Sequence, residues 1–283
     1  MTDPSPRGAV GPVVAALLGA SLLALFVLPL VVLFLYVGWD GFVGAASNAG
    51  FLTSIRFTLL ASGIAVGLGL LTGVPLGYLL ARYRFRGRTL VESIVLIPVV
   101  IPHLVVGIAL LLLFAPDGPV GQFAARLGFP VFDAIWGVVL VMLYVGASYV
   151  VLSSQLAFGA VDPEVVDSAR SLGASPGEAF ATVILPQSAR GIATGALLMW
   201  ARGVSEIGGF LILAYSIAPS APWFGPTTSP ASVYIWDLYQ SSAGLEPAAA
   251  ASCVLVLVAL AIFLAVRLLD RTGLYTPHGG WLS

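Results

Sequence analysis

Residues 162–190 read DPEVVDSARSLGASPGEAFATVILPQSAR, and this long polar interval separates two apolar stretches. Asp162 is a suitable helix N-cap, and Pro163 suits the first helical position because the N–H that it lacks would be unpaired there in any case. Glycine commonly ends helices, so Gly173 marks the end of this first segment. The interval therefore begins with a short, capped helix.

A second helix is expected to follow at once in the same interval. Ser175, Pro176 and Glu178 give the pattern of a capping box, in which the serine and glutamate side chains satisfy each other's backbone N–H groups. The pattern predicts a helix that reaches Ile184 and ends before Pro186. Two short helices that are separated by a glycine and held at both ends by apolar segments form a rigid surface, which suits a protein partner.

The sequence on either side of this interval is strongly apolar. Hydrophobic residues make up 59% of the 283 residues and charged residues 9%, whereas about 25% of an ordinary soluble domain is charged. Apolar stretches of about 20 residues recur, and each is long enough to cross a bilayer core as a helix. They lack the alternation of barrel strands. We therefore predict an all-α polytopic membrane protein with six transmembrane helices. The expected spans are residues 11–37, 57–81, 91–115, 134–158, 191–216 and 247–269.

The arginines between the spans predict the orientation, because loops rich in basic residues stay in the cytoplasm. With the N-terminus and C-terminus inside the cell, only Arg56 and Arg126 lie outside. The arginine cluster at 82–88 is then a topological anchor, an interpretation that we favour over a ligand site. This orientation in the plasma membrane places residues 159–190 in the cytoplasm. The arginines expected on the cytoplasmic side are Arg7, Arg82, Arg84, Arg86, Arg88, Arg170, Arg190, Arg267 and Arg271.

Two outer segments are expected to contain short helices. Prolines interrupt the segment 217–245 until the stretch Val233–Gln240, whose aromatic residues suit a membrane–water boundary. In the segment 116–133, prolines bracket a second candidate helix, Val120–Leu127. Both helices would lie at the outer surface of the membrane.

The composition excludes several functions. The chain contains no lysine, so it has no P-loop and is not expected to be an ATP-hydrolysing enzyme. Its net charge of −1 gives no reason to expect nucleic-acid binding. The single cysteine, Cys253, lies in an apolar stretch and is interpreted as a small buried residue. No metal site and no catalytic set of residues is predicted.

The polar interval resembles the EAA loop of ABC-importer permeases. That loop has the pattern E-A-A, three residues, Gly, nine residues and I-x-L-P, and Asp167-Ser168-Ala169, Gly173 and Val183-Ile184-Leu185-Pro186 match its spacing. Asp167, Ser168 and Val183 depart mildly from the pattern. The resemblance implies that the loop docks on a separate ATPase, which binds ATP and Mg²⁺, while this chain binds no cofactor. The residues implied in this coupling are Asp167, Ser168, Ala169, Ser171, Leu172, Gly173, Leu185 and Pro186.

Two spans are similar to the archaeal-type molybdate/tungstate permeases. The third contains IPVVIPHLVVGIALLL at Ile97–Leu112, and the fifth contains WARGVSEIGGFLILAY at Trp200–Tyr215, followed outside by VYIWDLY at Val233–Tyr239. Ile207 and Gly209 depart from the Phe and Ala of that pattern. The resemblance implies a type I ABC importer permease fold and a homodimeric pore in membrane lipid. It further implies that an extracytoplasmic oxyanion-binding protein delivers the cargo and that access alternates between the two sides.

Charged residues inside a span are candidates for function, because burying them is costly. Arg202 and Glu206 are four residues apart on one helical face and can pair with each other. One interpretation is a self-neutralised pair that fixes helix packing; the other is a pore-lining gate. His103 follows Pro102 in a span that the prolines are expected to bend, and it is interpreted as a hydrogen-bonding strut rather than a metal ligand. The pore or gate candidates are His103, Arg202, Ser205, Glu206, Gly208 and Gly209.

The predicted organisation has three parts: a tail, first helix and outer loop at 1–54, a permease core at 55–268, and a cytoplasmic tail at 269–283. Two alternatives for the cargo and the driving force stay open. The same machine could carry sulfate or thiosulfate, or the chain could be an ion-driven secondary carrier, although neither internal repeats nor a polar midplane site is evident. An intramembrane enzyme would need a nucleophile–base set that the sequence does not offer.

Overall fold

The structure is a computed structural model that describes residues 7–217 and 227–271. In this part of the chain the backbone is almost entirely helical, with one isolated antiparallel bridge between Ile217 and Thr228. The described helices are α1 (Arg7–Ser47), α2 (Ala49–Arg82), α3 (Arg88–Val100), α4 (His103–Phe114), α5 (Pro119–Arg126), α6 (Ile135–Gly159), α7 (Pro163–Ser171), α8 (Pro176–Ala179), α9 (Leu185–Val204), α10 (Gly208–Leu213), α11 (Ala231–Gln240) and α12 (Leu245–Arg271).

Four helices of the described chain are long and apolar enough to cross a membrane, namely α1, α2, α6 and α12. They correspond to the first, second, fourth and sixth predicted spans. The pair α3 and α4 counts as a fifth span if the two are taken together. The all-α membrane architecture is therefore confirmed, whereas the number of six spans is not, because the third and fifth predicted spans are interrupted.

The third predicted span bends by 113° between α3 and α4. Ile101 is extended and Pro102 follows it, and a proline disfavours helical backbone in the residue before it. The predicted bend is thus confirmed. Beside the bend, the Ser148 hydroxyl on α6 donates a hydrogen bond of 2.6 Å to the carbonyl of Val95. This bond ties α3 to the centre of the bundle.

The fifth predicted span, 191–216, differs from the expected continuous helix. The helix begins earlier, at Leu185, and ends at Val204; three residues then separate it from α10. The polar first turns of α9, which contain Gln187 and Arg190, make it less apolar than the four long spans. The break places Glu206 between two helices instead of inside one.

The end of the polar interval also differs from the prediction. The second short helix does not stop before Pro186. A π-helical turn, Phe180–Ile184, joins α8 to α9 without a break, and Pro186 lies in the first turn of α9. A proline is tolerated there because the N–H that it lacks would otherwise be unpaired. Residues 159–190, the predicted coupling loop, therefore continue into α9 without a break.

The local helix signals were predicted correctly. Asp162 caps α7 by accepting a hydrogen bond from the N–H of Glu164, and Ser175 and Glu178 form the complete capping box of α8. The two outer helices are present as α5 and α11, close to the expected bounds. These features depend on neighbouring residues only, which explains why the sequence reveals them.

The centre of the fold is the packing of α2 and α9 on α6. Glycines allow these helices to approach closely, as is common in membranes. A Cβ atom on Gly77 would lie 2.7 Å from the Cβ of Ser154 and 2.8 Å from the carbonyl oxygen of Val151. Helix α1 packs mainly on α12, where Cys253 is fully buried, as predicted. The bundle therefore has a tight centre and a second, peripheral pair of helices.

Gly77→Ala is expected to destabilise the protein by about 1–3 kcal/mol, because the added methyl group would press on the backbone of α6. Gly63→Ala is the matched control on the same helix, since a Cβ there would meet no atom within 4 Å. Thermal unfolding in detergent measures the stability of both variants. Equal unfolding temperatures for the two variants would contradict the assigned packing.

A charged hub at a helix break

A buried carboxylate lies at the break between α9 and α10. The Glu206 side chain has 0% exposure, whereas that of Arg202 is 16% exposed. Nη2 of Arg202 donates a hydrogen bond of 2.7 Å to Oε2 of Glu206. A buried charge needs a partner, and this ion pair provides one. The predicted pairing of the two side chains is therefore present.

His103, the first residue of α4, joins this pair. Nη2 of Arg202 lies 2.6 Å from Nε2 of His103, and Nδ1 of the same ring lies 3.3 Å from Oε2 of Glu206. A guanidinium only donates hydrogen bonds, so Nε2 is the acceptor and the neutral ring carries its proton on Nδ1, beside the carboxylate. The His103 side chain is half exposed. The ring thus covers the solvent-facing side of the Arg202–Glu206 pair.

The second carboxylate oxygen holds the start of α10. Oε1 of Glu206 accepts a hydrogen bond of 2.8 Å from the N–H of Gly209. There is no room for side chains here: a Cβ on Gly208 would lie 2.8 Å from the Cβ of His103, and one on Gly209 would lie 2.6 Å from Cγ1 of Val141. Both glycines therefore allow close packing around the carboxylate.

Ser232 on α11 is a member of this cluster that the sequence did not reveal. Its hydroxyl donates a hydrogen bond of 2.6 Å to the backbone carbonyl of Glu206. The contact joins residues 26 positions apart, and an isolated serine in an outer segment carries no pattern that predicts it. We call His103, Arg202, Glu206, Gly209 and Ser232 the Glu206 hub. It connects α4, α9, α10 and α11.

The structure brings together five of the six pore or gate candidates. The sixth, Ser205, lies beside them, is exposed, and donates a hydrogen bond of 3.1 Å to the carbonyl of Arg202. The carboxylate faces the protein interior, while His103 and Arg202 form the accessible edge. The hub therefore has the geometry of a structural anchor with a polar edge. Among the described residues, no group of three or more His, Cys, Asp or Glu could hold a metal ion.

The coupling loop presents a different surface. Asp167, Ser168, Ser171 and Leu172 line a shallow groove together with Glu164. Leu172 is 90% exposed, which is unusual for a large apolar side chain in a polar loop.

Gly173 follows Leu172 with a φ of 100°, a left-handed conformation that favours glycine. Ala169 is partly buried, and Leu185 and Pro186 lie apart from the groove at the start of α9. Of the predicted coupling residues, the groove thus gathers those at the end of α7.

An aromatic cluster holds the coupling loop against the membrane helices. Tyr78 on α2 makes edge-on contacts with Phe158 and Phe180, with ring centroids 5.2 Å and 5.0 Å apart. Nη2 of Arg82 donates a hydrogen bond of 3.2 Å to the carbonyl of Val161. These contacts fix the loop to the ends of α2 and α6.

Glu206→Gln is expected to destabilise the protein by about 3–5 kcal/mol, because it leaves the Arg202 charge without a counter-ion in a largely buried place. The double variant Arg202→Met/Glu206→Gln removes both charges and is expected to lose less stability than Glu206→Gln. Thermal unfolding in detergent compares the single and double variants. Strictly additive effects would contradict a direct pair.

The capping box of α8 predicts a pH dependence. Hydrogen bonds from the backbone N–H of Ser175 and from its hydroxyl lower the pKa of Glu178 below its ordinary value of 4.5. A lowered pKa contributes stability above pH 4.5, and this contribution is lost as the pH falls through the lowered value. Hydrogen exchange of the amides in 176–184 should show protection, relative to Glu178→Gln, at pH 7 but not at strongly acidic pH. A difference that persists at acidic pH would contradict it.

Comparisons with known proteins agree with this architecture. The family described as binding-protein-dependent transport system inner membrane component matches residues 73–272. The molybdate/tungstate transport system permease protein of Pyrococcus furiosus is 36% identical over 258 residues, covering 90% of this chain and 94% of the relative. The sulfate transport system permease protein of Salmonella typhimurium is 30% identical and covers 71% of this chain and 75% of the relative.

Among solved structures, a bacterial alginate ABC transporter in complex with an alginate pentasaccharide-bound periplasmic protein has a similar fold. Its matching chain gives a TM-score of 0.66 at 22% sequence identity, and the match covers 92% of this chain and 94% of that chain. At this identity the likeness concerns the fold alone. Together with the family match, these findings show that the chain belongs to the family of binding-protein-dependent transport system inner membrane components.

Proposed function

We propose that this chain is the membrane-spanning permease subunit of an ABC importer that carries molybdate or tungstate. The observation that carries the proposal is the similarity, over nine tenths of the chain, to an archaeal permease named for these two anions. The sulfate permease is less similar and matches a smaller part of the chain. Of the two cargo assignments, molybdate or tungstate is therefore favoured over sulfate.

The energy for transport comes from a separate ATPase subunit that binds ATP and Mg²⁺. The absence of lysine supports this, because a P-loop needs its lysine to reach the phosphates. The docking surface is the groove at the end of α7, with Leu172 as the apolar side chain that enters the ATPase. The exposure of Leu172 supports this assignment, since burying an apolar side chain against a partner stabilises the complex.

The N-terminus and C-terminus face the cytoplasm. The distribution of arginines supports this orientation. The contact between Arg82 and Val161 further supports it, because it places the arginine-rich end of α2 on the same side as the coupling loop.

The pore forms between two copies of the chain. Helix α3 supports this arrangement, because it has no buried residue although it is apolar. Its exposed side chains can therefore contact lipid or a second copy. The Glu206 hub anchors α4, α9 and α10 at this pore, with His103 and Arg202 at its polar edge. Only weak contact with the anion is expected there, since cargo that binds tightly midway does not leave.

Uptake into proteoliposomes tests the cargo. The chain, its ATPase and its binding protein are reconstituted, and uptake of radioactive tungstate is measured with unlabelled competitors. Molybdate is expected to compete at least tenfold better than sulfate. Equal competition by sulfate would favour the sulfate permease alternative. Uptake that follows an ion gradient without ATP would identify a secondary carrier instead.

Gly173→Val is expected to reduce cargo-stimulated ATPase activity at least tenfold, because a β-branched residue cannot adopt the left-handed backbone without strain. Gly87→Val is the matched control. Gly87 also has a positive φ, 86°, and open space around it, but it lies in the loop between α2 and α3. If Gly87→Val lowered the stimulation as much as Gly173→Val, the assignment of the coupling surface would be wrong.

A further inference from the structure

The outer face of the protein is acidic. In the proposed orientation, its charged residues are Asp40, Asp117, Asp133, Asp237 and Glu246 against Arg56 and Arg126. Five acids and two arginines leave a net charge of −3 on this face. Such a surface repels an oxyanion from free solution and attracts a basic partner.

A cavity of about 440 Å³ opens beside the N-terminus of α2. The first turns of α2 form one wall, and helix α11 forms another. The residues before and after the segment 218–226 complete the lining. Hydroxyl groups are frequent among the described lining residues, and Asp237 is the one ionisable group among them apart from two tyrosines. Side chains that line it include Thr53, Tyr215, Ser216, Thr228, Tyr234 and Asp237.

The lining can accept hydrogen bonds from a cation. Tyr215 donates a hydrogen bond to Oδ1 of Asp237, which holds the carboxylate in place. A carboxylate with hydroxyl oxygens around it suits the donors of a guanidinium or an ammonium group. An oxyanion would instead meet the negative charge of Asp237.

We propose that this cavity receives a basic side chain, arginine or lysine, from the extracytoplasmic binding protein, with Asp237 as its counter-ion. The inference rests on the proposed function, and it names the contact by which the partner is recognised. The acidic outer face steers the partner, and the cavity fixes its register. The anion then arrives already enclosed and does not have to cross the repelling surface alone.

Helix α11 also links this cavity to the Glu206 hub. Asp237 faces the cavity, while Ser232, five residues earlier on the same helix, donates a hydrogen bond to the carbonyl of Glu206. At 100° per residue the two side chains point to different sides of the helix. Helix α11 therefore takes part in both the cavity and the hub.

The test measures ATPase stimulation by the cargo-loaded binding protein in the reconstituted complex. Asp237→Asn is expected to raise the half-saturating concentration of the binding protein at least tenfold and to weaken its dependence on salt. Asp117→Asn removes an outer charge outside the cavity and serves as the control, with less than a twofold change expected. Thr53→Arg places a cation in the cavity and is expected to have the same effect. It therefore tests the cavity even if Asp237→Asn folds poorly.

If Asp237→Asn and Thr53→Arg both match Asp117→Asn while the unmodified complex is stimulated normally, the cavity is not the docking site and the proposed function stands. If the binding protein does not stimulate the unmodified complex at all, the proposed function itself fails. A third variant, Asp237→Arg, reverses the charge. If one basic-to-acidic substitution on the binding protein restored ATPase stimulation to this variant, the substituted residue would be the partner side chain.

Discussion

A carboxylate with no exposure to solvent constrains the whole centre of this protein. Glu206 must find partners for both oxygens and for its charge, and it finds them on different helices: Arg202 on α9, His103 at the start of α4 and the N–H of Gly209 on α10. The break between α9 and α10 is what allows this, because it turns the carboxylate and its backbone carbonyl towards separate elements. Ser232 then joins α11 through that carbonyl.

Both ends of the molecule are connected to this hub by helices. Helix α9 runs from the coupling loop to the hub, a distance of about 25 Å at 1.5 Å per residue, and the π-helical turn joins it to α8 without an interruption. At the other end, α11 carries both the hub contact and the outer cavity. The close packing of α2 and α9 on α6 holds this connection in the centre of the bundle.

The sequence predicted the parts of the fold that depend on short-range signals. The long apolar spans follow from composition, and the caps at Asp162 and Ser175 follow from residues within a few positions. The bend follows from Pro102, which disfavours helical backbone in the residue before it. The break at Glu206 could not be predicted, since the sequence there is continuous with a helical pattern and the break is stabilised by contacts from distant helices. Pro186 was misinterpreted because a proline both ends helices and begins them. Ser232 carried no signal at all, because its partner is distant in the sequence.

We expect the Glu206 hub to hold α4, α10 and α11 together as one body during transport. Pulsed electron resonance can measure the distance between spin labels at Leu113 on α4 and Gln240 on α11, with one doubly labelled copy in each reconstituted transporter. This distance is expected to stay the same with and without ATP. In a second sample, with both copies of the proposed dimer labelled at Leu113 alone, the distance between the two labels is expected to change. A change in the distance between α4 and α11 within one copy would contradict it.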